Sequence, residues 1–203
     1  EMMSDFGFGT YVTDGFPGES RGRLHHHTEW GEIGKATMSY GYGITVTPIQ
    51  LAQAYSVIAN NGLYTPLSLR KGLFNESKRV INEDTAKTLL SMLEKVVEDG
   101  TSKKAAVNGY RIGGKSGTAW KTSGVGGYST DRYRSIFAGI APIDDPRLVA
   151  VVFIEEPTGA FYYGGDVAAP VFSEIISQSL QLLSIPPQGF ITKTDLVADN
   201  KKD

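Results

Sequence analysis

The sequence predicts an α+β fold built on an antiparallel sheet. Three observations carry that expectation. Two capped helical segments come first, over 48–60 and 83–98. Three segments of strand character follow at 110–120, 133–141 and 147–155, the last two joined by a short turn. A final helix covers 169–183.

Residues 1–34 show little periodicity. Phe6-Gly7-Phe8-Gly9, Pro17-Gly18-Glu19 and His25-His26-His27 read as turn and loop, and Glu1-Met2-Met3 as the last turn of a helix that starts upstream. Thr47-Pro48 opens the first full helix, since Thr caps well and Pro suits the first helical position. Leu51, Ala54, Tyr55 and Ile58 form its apolar face, and Asn60-Asn61-Gly62 stops it. Asn82 caps the second, whose apolar set is Ala86, Leu89, Leu90, Leu93, Val96 and Val97, with Gly100 at its end. The period then changes. Asp144-Asp145-Pro146 joins the last two strands as a hairpin, while Gly124, Gly126 and Gly127 mark a mobile loop between the first two. Ala169-Pro170 begins the final helix, with Val171, Ile175, Ile176, Ser179 and Leu182 or Leu183 inward. Pro186-Pro187 ends it before a polar tail.

With 203 residues, 40% of them hydrophobic, the chain is long enough to bury a sizeable core. Twenty Lys and Arg against twenty-two Asp and Glu argue against a general nucleic-acid or anionic-membrane binder. The longest apolar run, Leu148 to Ile154, is far short of the ~20 residues of a membrane span, and no charged-then-apolar leader opens the chain. The absence of cysteine excludes disulfides and thiolate metal sites.

The strongest chemical signal is Lys115-Ser116-Gly117-Thr118 on the first strand. Alternation turns Ser116 and Thr118 to one face and Lys115 to the other. Gly117 removes the side chain that would block a ligand lying along the backbone. Such an edge can hold a carboxylate with two hydroxyls and offer a backbone N–H to an oxyanion. Chance would supply this tetrapeptide on the order of 0.01 times in a chain of this length.

Ser-x-x-Lys, a Ser-Asp-Asn-type element and Lys-Thr-Gly mark the β-lactamases and penicillin-binding proteins, and Lys115-Ser116-Gly117 fits the third. The run from Tyr40-Gly41-Tyr42-Gly43 through Thr47-Pro48 to Ala52 resembles the segment before a core helix in penicillin-binding transpeptidases. Ala59-Asn60-Asn61-Gly62, Phe137-Ala138-Gly139-Ile140-Ala141-Pro142 and Tyr162-Tyr163-Gly164-Gly165 with Ala169-Pro170-Val171-Phe172 resemble the same family. Over roughly residues 5 to 185 the chain is most similar to class B, septum-specific peptidoglycan transpeptidases of Gram-negative bacteria.

The resemblance implies a penicillin-binding/serine β-lactamase-like transpeptidase fold, an antiparallel sheet with helices on both faces. Residues 1–190 are expected to be the C-terminal portion of that domain, incomplete on its N-terminal side, and 191–203 a disordered tail. A serine upstream of this chain is expected to form an acyl-enzyme with stem peptides ending in D-Ala-D-Ala, or with β-lactams, so the chain alone is expected to be inactive. Lys115 would supply positive potential and hold the hydroxyl network. Ser116, Gly117 and Thr118 would bind the carboxylate end, with the Thr118 N–H as half of the oxyanion hole, and Tyr133, Tyr162 and Tyr163 would line the groove. The family implies no metal or organic cofactor. It implies a membrane anchor upstream, the periplasmic face of the inner membrane, and a septal glycosyltransferase and other division proteins as partners, with the domain's missing N-terminal half; nucleic acid is not expected.

Other readings stay open. A β-lactam sensor or serine β-lactamase shares the Lys-Ser/Thr-Gly strand, and a non-catalytic binding fragment is also compatible. Ser68-Leu69-Arg70-Lys71 is a Ser-x-x-Lys, but it follows Pro66 in an extended stretch and falls after the Tyr-Gly-Tyr-Gly segment. His25-His26-His27 reads as solvated loop, and Glu155-Glu156 as a charged strand exit.

Overall fold

The computed structural model describes residues 1–187 apart from 14, 40, 73–75 and 123–127. The Gly124–Gly127 loop, the tail beyond 191 and Tyr40 therefore lie outside the described residues. Short helices α1 (Met2–Asp5) and α2 (Glu32–Met38) precede α3 (Pro48–Ala59). A two-stranded ribbon of β1 (Leu63–Tyr64) and β2 (Lys78–Arg79) leads into α4 (Glu83–Glu98). The main sheet follows as β3 (Gly113–Thr122), β4 (Tyr128–Ala141) and β5 (Leu148–Glu155), antiparallel in the order β3-β4-β5, and α5 (Gly164–Leu182) closes the fold.

Thr47 accepts the Gln50 N–H at 3.2 Å while Gln50 Oε1 accepts the Thr47 N–H at 3.0 Å, a reciprocal cap that satisfies two orphan donors. Of the expected apolar face of α3, Ala54 is buried and Tyr55 and Ile58 pack partly buried against the core of the sheet, while Gln50, Gln53 and Val57 form a further buried side. The N-terminal segment covers that second side: Gln50 Nε2 donates to the carbonyls of Thr10 and Arg21, both at 2.8 Å, and is fully buried beneath them. Asn82 caps α4 by accepting from Thr85 N at 2.7 Å.

Helices cover both sheet faces. Phe137, Ala141 and Val152 pack with Ala168, Ala169, Phe172, Ile176 and Leu180 of α5. On the other face Ile140 and Ile143 meet Leu90, with Tyr55, Ile58 and Leu93 around them. The final helix begins at Gly164, five residues before the expected Ala169, so Pro170 lies inside it. Its inward face is correspondingly different. Val171, Ile175, Leu182 and Leu183 are exposed, and of the expected inward set Ile176 alone is fully buried. Small residues decide this, because Ala168 and Ala169 let the helix lie flat on the sheet. The first strand also starts later than Tyr110, which turns away to donate its hydroxyl to Ile185 O at 2.6 Å.

Glu94 on α4 is 5% exposed and receives a two-pronged pair from Arg111, Nε and Nη2 at 2.6 Å each, which ties α4 to the start of β3. The two partners are not equivalent, since the Arg111 side chain remains half-exposed. Arg111→Ala strands a buried carboxylate and is expected to cost about 3 kcal/mol, whereas Glu94→Ala leaves a hydrated guanidinium and costs about 1 kcal/mol. Urea unfolding midpoints of the two variants test that asymmetry.

Candidate functional site

β3 is an edge strand of the described sheet, so its outer backbone edge is open. Its pairing with β4 sets the faces: Thr118 opposes Ser135, Gly117 opposes Ile136, Ser116 opposes Phe137 and Lys115 opposes Ala138. Ser116 and Thr118 therefore share the face covered by α5, and Lys115 and Gly117 share the face of α3 and α4. Thr118 is exposed and Ser116 half-buried. A Cβ at Gly117 would meet nothing closer than 3.9 Å, so the glycine leaves open space beside the strand.

The N-terminus of α5 sits directly on this motif. Gly164 N donates to Thr118 Oγ1 at 3.0 Å. A Cβ at Gly164 would lie 2.4 Å from the carbonyl oxygens of Gly117 and Ile136, and one at Gly165 would lie 2.3 Å from Thr101 O. Only glycine permits that approach. The helix thereby brings the positive end of its dipole beside the two hydroxyls, where an anion is favoured. Lys104, 2.8 Å from Asp166 in the first turn, helps to hold it.

Lys115 Nζ donates to Ser116 O at 2.7 Å, so the ammonium lies on the strand's own carbonyl rather than among the hydroxyls. Tyr133 and Tyr162 stack with centroids 4.0 Å apart at 14°, and Tyr163 continues the row at 4.4 Å. Tyr162 donates to the Tyr163 hydroxyl at 3.2 Å, and that hydrogen bond, with desolvation and the neighbouring phenols, pushes the Tyr162 phenol up to about 12. Two further hydroxyls come to the site unannounced by the motif. Thr101 Oγ1 lies 3.5 Å from Ser116 Oγ, and Ser135 is fully buried below Tyr162. The Gly100-Thr101 turn and a serine within β4 gave no chemical signal in the sequence; only the fold brings them here.

The other candidates lie elsewhere. Ser68 forms a local turn with Arg70, its Oγ accepting from Arg70 N at 3.0 Å. It lines a cavity of about 450 Å³ with Pro66, Pro146 and Leu148, beside the opposite edge strand β5. His25 Nδ1 is 3.1 Å from Glu29 Oε2. Glu155 and Glu156 pair with Lys121 at 2.8 and 2.5 Å, and the Lys121 ammonium holds the Glu155 carboxyl below its ordinary range.

Residues 1–177 match the family model of the penicillin binding protein transpeptidase domain. The chain is 45% identical over 203 residues to the "Probable peptidoglycan D,D-transpeptidase PbpC" of Pseudomonas aeruginosa, covering 99% of this chain and 36% of that protein. It is 40% identical over 194 residues to the peptidoglycan D,D-transpeptidase FtsI of Escherichia coli, covering 95% of this chain and 33% of that one. Among solved structures, the apo transpeptidase domain of Burkholderia pseudomallei penicillin-binding protein 3 superposes with a TM-score of 0.84 at 44% identity, over 92% of this chain and 57% of that domain. The chain thus spans about a third of the length of these two curated relatives. On the full extent of these matches, the chain belongs to the penicillin-binding protein transpeptidase domain family.

Proposed function

We propose that this chain supplies the β3 side of a peptidoglycan D,D-transpeptidase site that β-lactams also occupy. The observation that carries the reading is Ser116 and Thr118, side by side on an open edge strand under a helix N-terminus. A carboxylate such as the D-alanine terminus of a stem peptide gains two hydroxyl donors there, in the positive field of α5. A ligand can lie along Gly117 without steric conflict, and the Thr118 N–H serves as one oxyanion donor.

The nucleophile belongs on the face of Lys115 and Gly117. On that face Phe153 of β5 is 40% exposed and its cross-strand partner Ile136 is half-buried, beyond the cover of α3 and α4. A segment supplied from upstream sequence fits this uncovered surface. Its serine would attack the carbonyl of the penultimate D-alanine, release the terminal D-alanine and form an ester. The amine of a neighbouring stem would then take the acyl group and return the serine. The relatives' names support this activity over β-lactam hydrolysis or sensing. Action in septal wall synthesis, on the periplasmic face of the inner membrane beside a glycosyltransferase and division proteins, extends the same reading. Among the described residues no helix is long and apolar enough to cross a membrane.

The isolated chain is expected to stay unlabelled by fluorescent penicillin, whereas the full-length gene product labels stoichiometrically. An adduct on Ser68 or Ser116 of the chain would sink this reading. In the full-length protein, Ser116→Ala and Thr118→Val should each slow acylation roughly 10- to 100-fold by removing a charge-assisted hydrogen bond, measured by stopped-flow. Absorbance titration at alkaline pH checks the Tyr162 phenol: a group ionising near 12 should be lost in Tyr162→Phe.

A further inference from the structure

Ser135 lies near the middle of β4, wholly buried, between Thr118 on β3 and Ile154 on β5. Its hydroxyl donates to the carbonyl of Tyr162. Its cross-strand partner Thr118 accepts from the amide of Gly164 at 3.0 Å. One pair of neighbouring hydroxyls therefore takes hold of the backbone on both sides of Tyr163. Two residues before Ser135, on the same strand face, Tyr133 stacks under the Tyr162 ring. The connection from β5 to α5 is otherwise irregular, and its aromatic end stands exposed at Phe161 and Tyr163.

We propose that Ser135 is a positioning residue of the ligand site. With Thr118 it forms a latch that fixes the Tyr133–Tyr162–Tyr163 row as a shelf beside the β3 edge. That row is the groove lining the family resemblance already implies, met by the end of the ligand away from its carboxylate, and what Ser135 adds is its fixed height over the strand. This rests on the proposed use of the β3 edge for the carboxylate. Thr118 is common to both parts: its oxygen already accepts from Gly164, so its O–H is left to donate to the ligand. Without Ser135, the carbonyl of Tyr162 loses its donor and the shelf loses its fixed height over the strand, while Ser116 and Thr118 stay on β3.

The test uses the full-length gene product and two probes, benzylpenicillin and its side-chain-free core 6-aminopenicillanic acid. Ser135→Ala should lower the second-order acylation rate for benzylpenicillin about 10-fold while the core changes by less than about twofold. The limiting rate at saturation should hold, because the loss is in binding. Gly164→Ala, whose methyl would meet the carbonyls of Gly117 and Ile136 and so disturb Thr118 as well, should slow both probes, and a loss confined to benzylpenicillin therefore separates Ser135 from the carboxylate end. Ser135→Cys keeps the size with a weaker donor and should lie between, which covers the case of an unstable alanine variant. A lowered melting temperature with an unchanged ratio of the two rates would reduce Ser135 to a purely structural role and overturn the latch. Failure of the unaltered protein to acylate with either probe would instead overturn the β3-edge reading itself.

Discussion

Everything near the site depends on how closely the first turn of α5 sits on the backbone of β3 and β4. At Gly164 the separation leaves no room for even a methyl group between helix and strand carbonyls. Hydroxyls complete the contact, since Thr118 receives the helix's first amide and Ser135 holds the residue two positions earlier. Burying helix-end donors against sheet carbonyls would be unfavourable without such partners. The glycines make the contact possible and the hydroxyls make it stable. One consequence is chemical: the positive end of a 19-residue helix is delivered to the strand that carries Lys115-Ser116-Gly117-Thr118.

The rest of the fold supports this placement. Phe137 and Phe172 pack at 4.7 Å between sheet and helix and hold α5 along its length. On the opposite face α4 is tied to β3 through Glu94 and Arg111, which fixes where the strand begins. Lys121 with Glu155, and Arg134 with Glu155, bind the far end of the same three strands. The motif thus lies on a strand held at both ends, a rigid placement of the kind binding geometry needs. Among the described residues its outer edge stays unpaired.

Legibility in the sequence followed how local each determinant was. The caps at Thr47 and Asn82 were readable because capping depends on residues three positions apart. The hairpin at Asp144-Asp145-Pro146 was readable for the same reason. The second buried side of α3 was not, because Gln50 is buried by carbonyls of Thr10 and Arg21, far away in the chain. The start of α5 was missed because Gly164 and Gly165 look like turn residues until a sheet lies beneath them. The expected inward positions Val171 and Ile175 followed hydrophobicity, whereas close packing chose Ala168, Ala169 and Phe172 instead.

The sequence by itself determined the α+β class, the sheet's antiparallel hairpin, the family and the motif strand with its two faces. The class, the hairpin and the strand faces rest on short-range spacing and on alternation along a strand, which any extended segment obeys, and the family rests on the resemblance of its motifs. Tertiary structure alone decided what the motif meets. It placed Thr101 beside Ser116 and turned a buried strand serine toward Tyr162. It spent the Thr118 acceptor on Gly164. Those contacts join residues up to 46 positions apart, and no local pattern encodes a partner that only the packing of a helix onto a sheet brings within hydrogen-bond reach.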